Sequence, residues 1–272
     1  MATHVDRDEV VGLLHEEFAA VAELGAGLTD EQWAAPTCLP GWTVKDALVH
    51  MGGTEAMLLG EAQPEVDVSH LAHARNDIGR SGERWVESRR SQSGADDLAW
   101  FRDLTDRRLA ALEAMTQADF DAASWTPAGP DETYGRFMRI RHFDCFMHEH
   151  DMRGALGVED RPDPRHVASA ITEPATALGY IVGKRAGMPE GTTVTIRLTG
   201  PVDTTWHIAV EERARVVDAL DGEPTVALEL PAMRFLRLTG GRQDAGTVPD
   251  DVVVRGDADL GRQLVANLAF TI

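Results

Sequence analysis

Apolar residues in this chain keep a helical spacing through residue 157 and then give way to alternation, and that switch limits the fold more than any other feature. Val10, Val11, Leu13, Leu14, Phe18, Val21 and Leu24 recur three and four apart, which predicts an amphipathic helix over residues 5–28. Thr43 and Asp46 read as a capping box with Asp in place of the usual Glu, opening a second helix through ALVHMGGTEAMLLGE with His50 two turns inside it. Helical periodicity continues over residues 67–90 and 96–115, separated by SQSGADD. A Pro- and Gly-bearing loop is expected over 117–133, then a helix over 134–156 that ends at Gly157. Several long helices joined by loops predict a bundle, a fold that builds sites between helices from inward-facing side chains.

After EDRPDPRH the pattern changes. A helix over 167–186 precedes the β-branched runs TTVTIRLTG, TWHIAV, ARVVDAL and TVALEL, bounded by Gly, Pro and Asp-Gly signals. PAMRFLRLTGGR reads as a short helix into a Gly-Gly turn, DDVVVRGD as a further strand and ADLGRQLVANLAF as a closing helix. With 272 residues, two domains are the prior. The expectation is a helical domain over 1–160 and an α+β domain over 161–272, with Pro162 and Pro164 stiffening the charged linker between them.

A net charge of −19 argues against nucleic-acid or anionic-membrane partners, which require clustered Lys and Arg. A small anionic substrate would have to be met by local arginines. Cys38 and Cys145 are the only cysteines, too few for a disulfide scaffold, and read as reduced thiols. The N-terminus has no basic region leading into an apolar run, and no apolar stretch reaches membrane-spanning length. The expected location is therefore the cytoplasm.

Within RIRHFDCFMHEHD, residues 139–151, Asp144 and His148 stand one turn apart on a common helix face. A carboxylate and an imidazole at that spacing can converge on one divalent ion, with a third ligand from another helix; His50 is the natural donor. A three-ligand set with an open position is the arrangement of a catalytic zinc. Spacing alone favours the plainer alternative, a surface hydrogen bond between Asp144 and His148 and a His50 satisfied within the bundle. His142 and His150 are competing ligands on other faces, Glu149 and Asp151 are assigned to solvent or support, and Asp46 to orienting His50. Cys145 reads as a small buried hydrophobe, and Cys38 as a loop residue near the site.

LPGWTVKDALVHMGGTE, RNDIGR at 75–80 and GRFMRIRHFDCFMHEHDMRGALG at 135–157 resemble the N-terminal domain of the mycothiol-dependent maleylpyruvate isomerase family. TVTIRLTGPVDTTWHIAVEE, RFLRLTGGRQD and VVVRGDADLGRQLVANLAF are similar to that family's C-terminal domain. The resemblance implies a DinB-like four-helix bundle and a sterol-carrier-like α+β domain. It also implies a divalent metal, most often zinc, held by His50, Asp144 and His148, with Asp144 where the prototype isomerases carry the longer Glu. It implies a basic side chain from the C-terminal domain in the active site, for which Arg242 is the first choice, with Arg237 and Arg234 behind it. As solvated residues of a helix-terminating turn, these arginines would need no such role.

The implied cosubstrate is mycothiol, a soluble thiol, so neither cysteine is needed as nucleophile. The implied chemistry is addition of the activated thiolate to an electrophile, giving cis-trans isomerisation of a maleylpyruvate-like acid or thiol S-transfer. Two other classes fit the same residues: a non-catalytic small-molecule or lipid-binding protein with a structural metal, and a metal-bearing regulatory protein without turnover.

Overall fold

The structure, a computed structural model, describes residues 3–242 and 248–271. It divides into two compact units, Met1–Arg161 and Pro162–Ile272.

The first unit is built from α1 (Arg7–Gly25), α2 (Asp30–Trp33), α3 (Val44–Leu58), α4 (Asp77–Ser88), α5 (Gly94–Glu113), α6 (Gln117–Asp121), the hairpin β1 (Ala123–Thr126) and β2 (Gly129–Thr133), and α7 (Tyr134–Leu156). Helices α1, α5, α3 and α7 close a ring in which each packs against its two neighbours, and α4 lies on α3. Their apolar stripes meet in one core: Leu14 and Phe18 from α1, Leu48 and Met51 from α3, Phe101 and Leu112 from α5, and Met138, Cys145 and Met152 from α7. Each such large side chain removed from water contributes about 1.5–3 kcal/mol.

Local signals fix the ends. Thr43 and Asp46 form the expected reciprocal capping box on α3, and α7 stops at Gly157, whose positive φ of 66° suits glycine. The adjacent Gly52 and Gly53 of α3 let two indoles approach its backbone. A Cβ on either would lie 2.6 Å from the Trp100 ring or 2.5 Å from the Trp85 side chain.

Three sequence expectations change here. The helix expected over 67–90 starts only at Asp77, because the Asn76 side chain caps it by accepting from the Gly79 amide; of residues 61–76 only Val68 is buried. The loop expected over 117–133 folds instead as α6, with its own Thr116–Asp119 capping box, followed by the antiparallel β1–β2 hairpin. Arg161, expected in the linker, is tied into this unit by Glu17 Oε2 at 2.7 Å and Glu149 Oε2 at 3.0 Å.

The second unit comprises α8 (Pro164–Ala170), α9 (Thr172–Thr176), α10 (Leu178–Tyr180), one π-helical turn (Ile181–Arg185), β3 (Thr193–Thr199), β4 (Thr204–Val210), β5 (Ala214–Val217), β6 (Val226–Pro231), α11 (Ala232–Thr239), β7 (Val253–Gly256) and α12 (Ala258–Ala266). The sheet order is β5-β4-β3-β6-β7, antiparallel except for the parallel β3–β6 pair. Val194, Ile196 and Leu198 of β3 alternate inward with Ile208 of β4 and Leu228 of β6, and they form a core with Phe235 of α11 and Leu264 of α12. The single helix expected over 167–186 is broken: Pro174 has no amide to donate, and Gly179 sits against the Ala214 carbonyl, where a Cβ would come within 2.7 Å of the oxygen. No helix among the described residues is long and apolar enough to cross a membrane.

Candidate metal centre

Packing of α3 against α7 places His50 opposite Asp144 and His148. His50 Nε2 lies 3.4 Å from Asp144 Oδ2, and His148 Nε2 lies 3.6 Å from Asp144 Oδ1. One donor atom from each of the three residues falls within 4.8 Å of the others. An ion with tetrahedral contacts of about 2.0–2.2 Å needs donors roughly 3.3–3.6 Å apart. The two measured contacts, one to each oxygen of Asp144, are of that length, and the donor set suits a borderline cation such as Zn2+. The residues therefore fit a divalent metal, and the trio expected from sequence is brought together.

The surroundings prepare each donor. His148 Nδ1 lies 3.0 Å from Asp151 Oδ2, a partner that directs the ring's Nε2 toward Asp144 and fixes the tautomer a metal ligand needs. Burial opposes the charged form of Asp144, but His148, Arg141 and His50 outweigh it and hold the carboxyl well below the usual range, so it is ionised. Burial lowers His50 despite Asp144, which favours a neutral imidazole. For His148 burial is outweighed by Asp144 and Asp151, and its pKa rises in the metal-free protein.

Trp42 lies against both imidazoles, with ring centroids 4.9 Å from His50 and 5.5 Å from His148. Its Nε1 donates to Glu83 Oε1 at 2.7 Å, and His73 Nε2 lies 2.7 Å from the same oxygen. Gly82 of α4 faces His50: a Cβ there would stand 3.0 Å from His50 Nδ1. Cys38 Sγ donates to Asp151 Oδ1 at 3.3 Å, so the loop thiol does approach the site through the His148 partner.

Beneath the donors runs a buried ion chain that periodicity and spacing did not reveal. Arg141 Nη1 donates to Asp144 Oδ2 at 2.6 Å, and its Nε donates to Glu55 Oε1 at 3.0 Å. The other Glu55 oxygen accepts from Arg108 Nε at 3.1 Å, and Arg108 also donates to the Tyr134 hydroxyl. The available signal was Arg141 standing one turn before Asp144, inside a stretch already singled out.

Other assignments are corrected. Asp46 does not orient His50; its Oδ2 is taken by the capping box and by Arg90 at 3.0 Å. Glu149 is buried rather than solvated, and His142 and His150, the competing ligands, are buried away from the His50–Asp144–His148 group. Glu149 pairs with Arg153 and Arg161, and His150 Nδ1 donates to the Phe146 carbonyl at 2.7 Å. Cys145 is fully buried, and burial pushes its thiol well above the ordinary value, so it stays protonated.

In the second unit, Arg237 lies in the last turn of α11. The Arg242 amide donates to the Arg237 carbonyl at 2.8 Å across the Gly240–Gly241 turn, and Arg242 Nη1 donates to the Gly240 carbonyl at 2.7 Å. Arg234 pairs with Asp251 at 2.8 Å. Gln243 and Asp244, which end the RFLRLTGGRQD motif, lie outside the described residues.

A family model described as the mycothiol maleylpyruvate isomerase N-terminal domain matches residues 14–153. The chain is 25% identical over 218 residues to an uncharacterized protein of Mycobacterium tuberculosis, found in two strains, covering 78% of this chain and 81% of that one. Among solved structures, a mycothiol-dependent maleylpyruvate isomerase superposes with a TM-score of 0.61 at 14% identity, over 93% of this chain and 95% of that one. A His-to-Ala variant of that enzyme gives 0.60 at 13%, over 92% and 99%. At such identities the likeness is one of fold.

Proposed function

Because the chain belongs to the mycothiol maleylpyruvate isomerase N-terminal domain family, we propose that it is a metal-dependent enzyme using a low-molecular-weight thiol, mycothiol, as cosubstrate. The observation that carries this reading is the convergence of His50, Asp144 and His148, whose donor atoms lie within 4.8 Å of one another and form a three-residue group among the described residues. A divalent ion held there, Zn2+ by donor chemistry, supplies Lewis acidity that makes the thiolate the stable form of a bound thiol at neutral pH.

The chain's own residues do the rest. Asp144 brings one negative charge and the two imidazoles bring none. Asp151 holds His148 by Nδ1, and the Trp42 ring lies against both imidazoles. By the family resemblance, Arg242 and Arg237 are assigned to the carboxylates of an anionic substrate.

The thiolate sulfur adds to one carbon of a cis double bond conjugated to a carbonyl, and the electron pair moves to the carbonyl oxygen. Rotation about the resulting single bond and return of the electron pair expel the thiolate and leave the trans isomer. If expulsion does not follow, a proton completes the adduct and the outcome is S-transfer.

Metal analysis of the purified protein, with mycothiol titrations before and after chelation, tests the reading. The expected result is one zinc per chain, mycothiol binding only with metal present, and loss of both in His50→Ala. Retention of both in that variant would sink the assignment. Turnover of cis-dicarbonyl acids against consumption of alkylating electrophiles then separates isomerase from transferase.

A further inference from the structure

The ion chain below the donors runs through the two helices that carry them. Helix α3 bears His50 and Glu55; α7 bears Arg141 and Asp144; α5 adds Arg108. The side chains of Arg108, Glu55 and Arg141 are only 3%, 2% and 4% exposed. Charges alternate along it, Arg108 to Glu55 to Arg141 to Asp144, so each carboxylate is matched by a guanidinium. A buried ion pair is a poor stabiliser compared with apolar side chains of similar volume. Stability alone therefore gives little reason to place this one here, and what it does to Asp144 gives a better one.

Asp144 offers both oxygens to the imidazoles at nearly equal reach, Oδ2 toward His50 Nε2 at 3.4 Å and Oδ1 toward His148 Nε2 at 3.6 Å. Left alone, such a carboxylate could swing or chelate through both oxygens. Arg141 Nη1 holds Oδ2 at 2.6 Å, the length of a strong charge-assisted bond. Glu55 in turn receives both Nε and Nη2 of Arg141, at 3.0 and 2.9 Å, which fixes the plane of the guanidinium. Its second oxygen is occupied by Arg108.

We propose that Arg141, locked by Glu55, is a positioning residue that restricts Asp144 to one-oxygen ligation. This keeps the coordination number low and a place open for the thiol. The inference rests on the metal-site reading above. It differs in what it assigns: Arg141 is given no contact with the cosubstrate thiol or the electrophile, and acts by fixing a ligand.

The test compares wild type, Arg141→Lys and Glu55→Gln by zinc affinity from chelator competition and by the visible spectrum of the cobalt-loaded protein. Lysine keeps the charge but loses the fork, so electrostatic strengthening of metal binding by charge removal does not obscure the result. Arg141→Lys is expected to bind one zinc with affinity weaker by roughly 10–100-fold. Its cobalt absorption should be less intense, as coordination rises above four. Glu55→Gln, one step further from the ligand, should change both in the same direction by less, and it carries the test if the lysine variant does not fold.

A merely structural role would lower thermal stability and leave affinity and spectrum at wild-type values; that result overturns the inference alone. Failure of the wild-type chain to take up zinc or cobalt overturns the functional reading and this inference with it.

Discussion

The helical unit and the α+β unit bury different kinds of side chain. Among the described residues, the helical unit hides Glu17, Asp46, Glu55, Glu83, Asp97, Arg108, Arg141, His148, Glu149 and Asp151. The sheet of the second unit turns Val194, Ile196, Leu198, Ile208 and Leu228 inward and leaves Arg197, Glu229 and Arg255 on its other, wet face. Unpaired charges in an interior cost several kcal/mol each, so a unit that keeps so many must pair them closely. Pairing requires fixed directions, and fixed directions are what a ligand set needs. The second unit hides fewer such groups, His166 and Glu173 among the described residues, and the order of its sheet comes from alternation and close packing.

That contrast can be broken experimentally. Arg108→Ala leaves Glu55 with one partner in a buried position and is expected to cost about 3–5 kcal/mol, measured by urea unfolding. Leu228→Ala, the counterpart in the sheet unit, should cost about 2–5 kcal/mol by opening a cavity. Only the first cost should shrink when the partner is also made apolar, as in Arg108→Leu with Glu55→Leu. Equal behaviour of both sites in such a cycle would erase the distinction.

Acid sharpens it. Burial alone would raise Glu149, but Arg161 and His150 hold it at about 2, below the ordinary 4.5. A carboxyl depressed on folding adds stability that is complete above about pH 4.5 and is lost as pH falls through about 2. Unfolding free energies followed over that window should fall more steeply in wild type than in Glu149→Gln; parallel profiles would show that the carboxylate contributes nothing. The smallest effect belongs to the exposed face of the sheet, where Arg197→Ala should change stability by no more than about 0.5 kcal/mol despite removing two ion pairs.

The same contrast governs what could be read from sequence. Strand alternation and helix periodicity report apolar burial, so the sheet and the four ring helices were legible, as was the α3 capping box. His50, Asp144 and His148 stood out by type, but spacing alone favoured a plain hydrogen bond, and it was the family resemblance that made them a proposed ligand set. Glu55, Arg108 and Arg141 were not legible, since a charge on a helix reads as solvated until the facing helix is known to bring its opposite. Pro174, which has no amide to donate, stood in the sequence within the expected helix, whereas the close approach of Gly179 to the Ala214 carbonyl is a tertiary fact.

Arg161 carries a practical consequence for dividing the molecule. Its side chain is the cation between Glu17 and Glu149, two carboxylates with fully buried side chains, while Arg153 reaches only the second. A helical fragment ending at Gly157 would contain every proposed ligand, yet lack the Arg161 guanidinium that lies 2.7 Å from Glu17. A fragment made to test the proposed ligands should therefore include Arg161, four residues beyond the Gly157 cap.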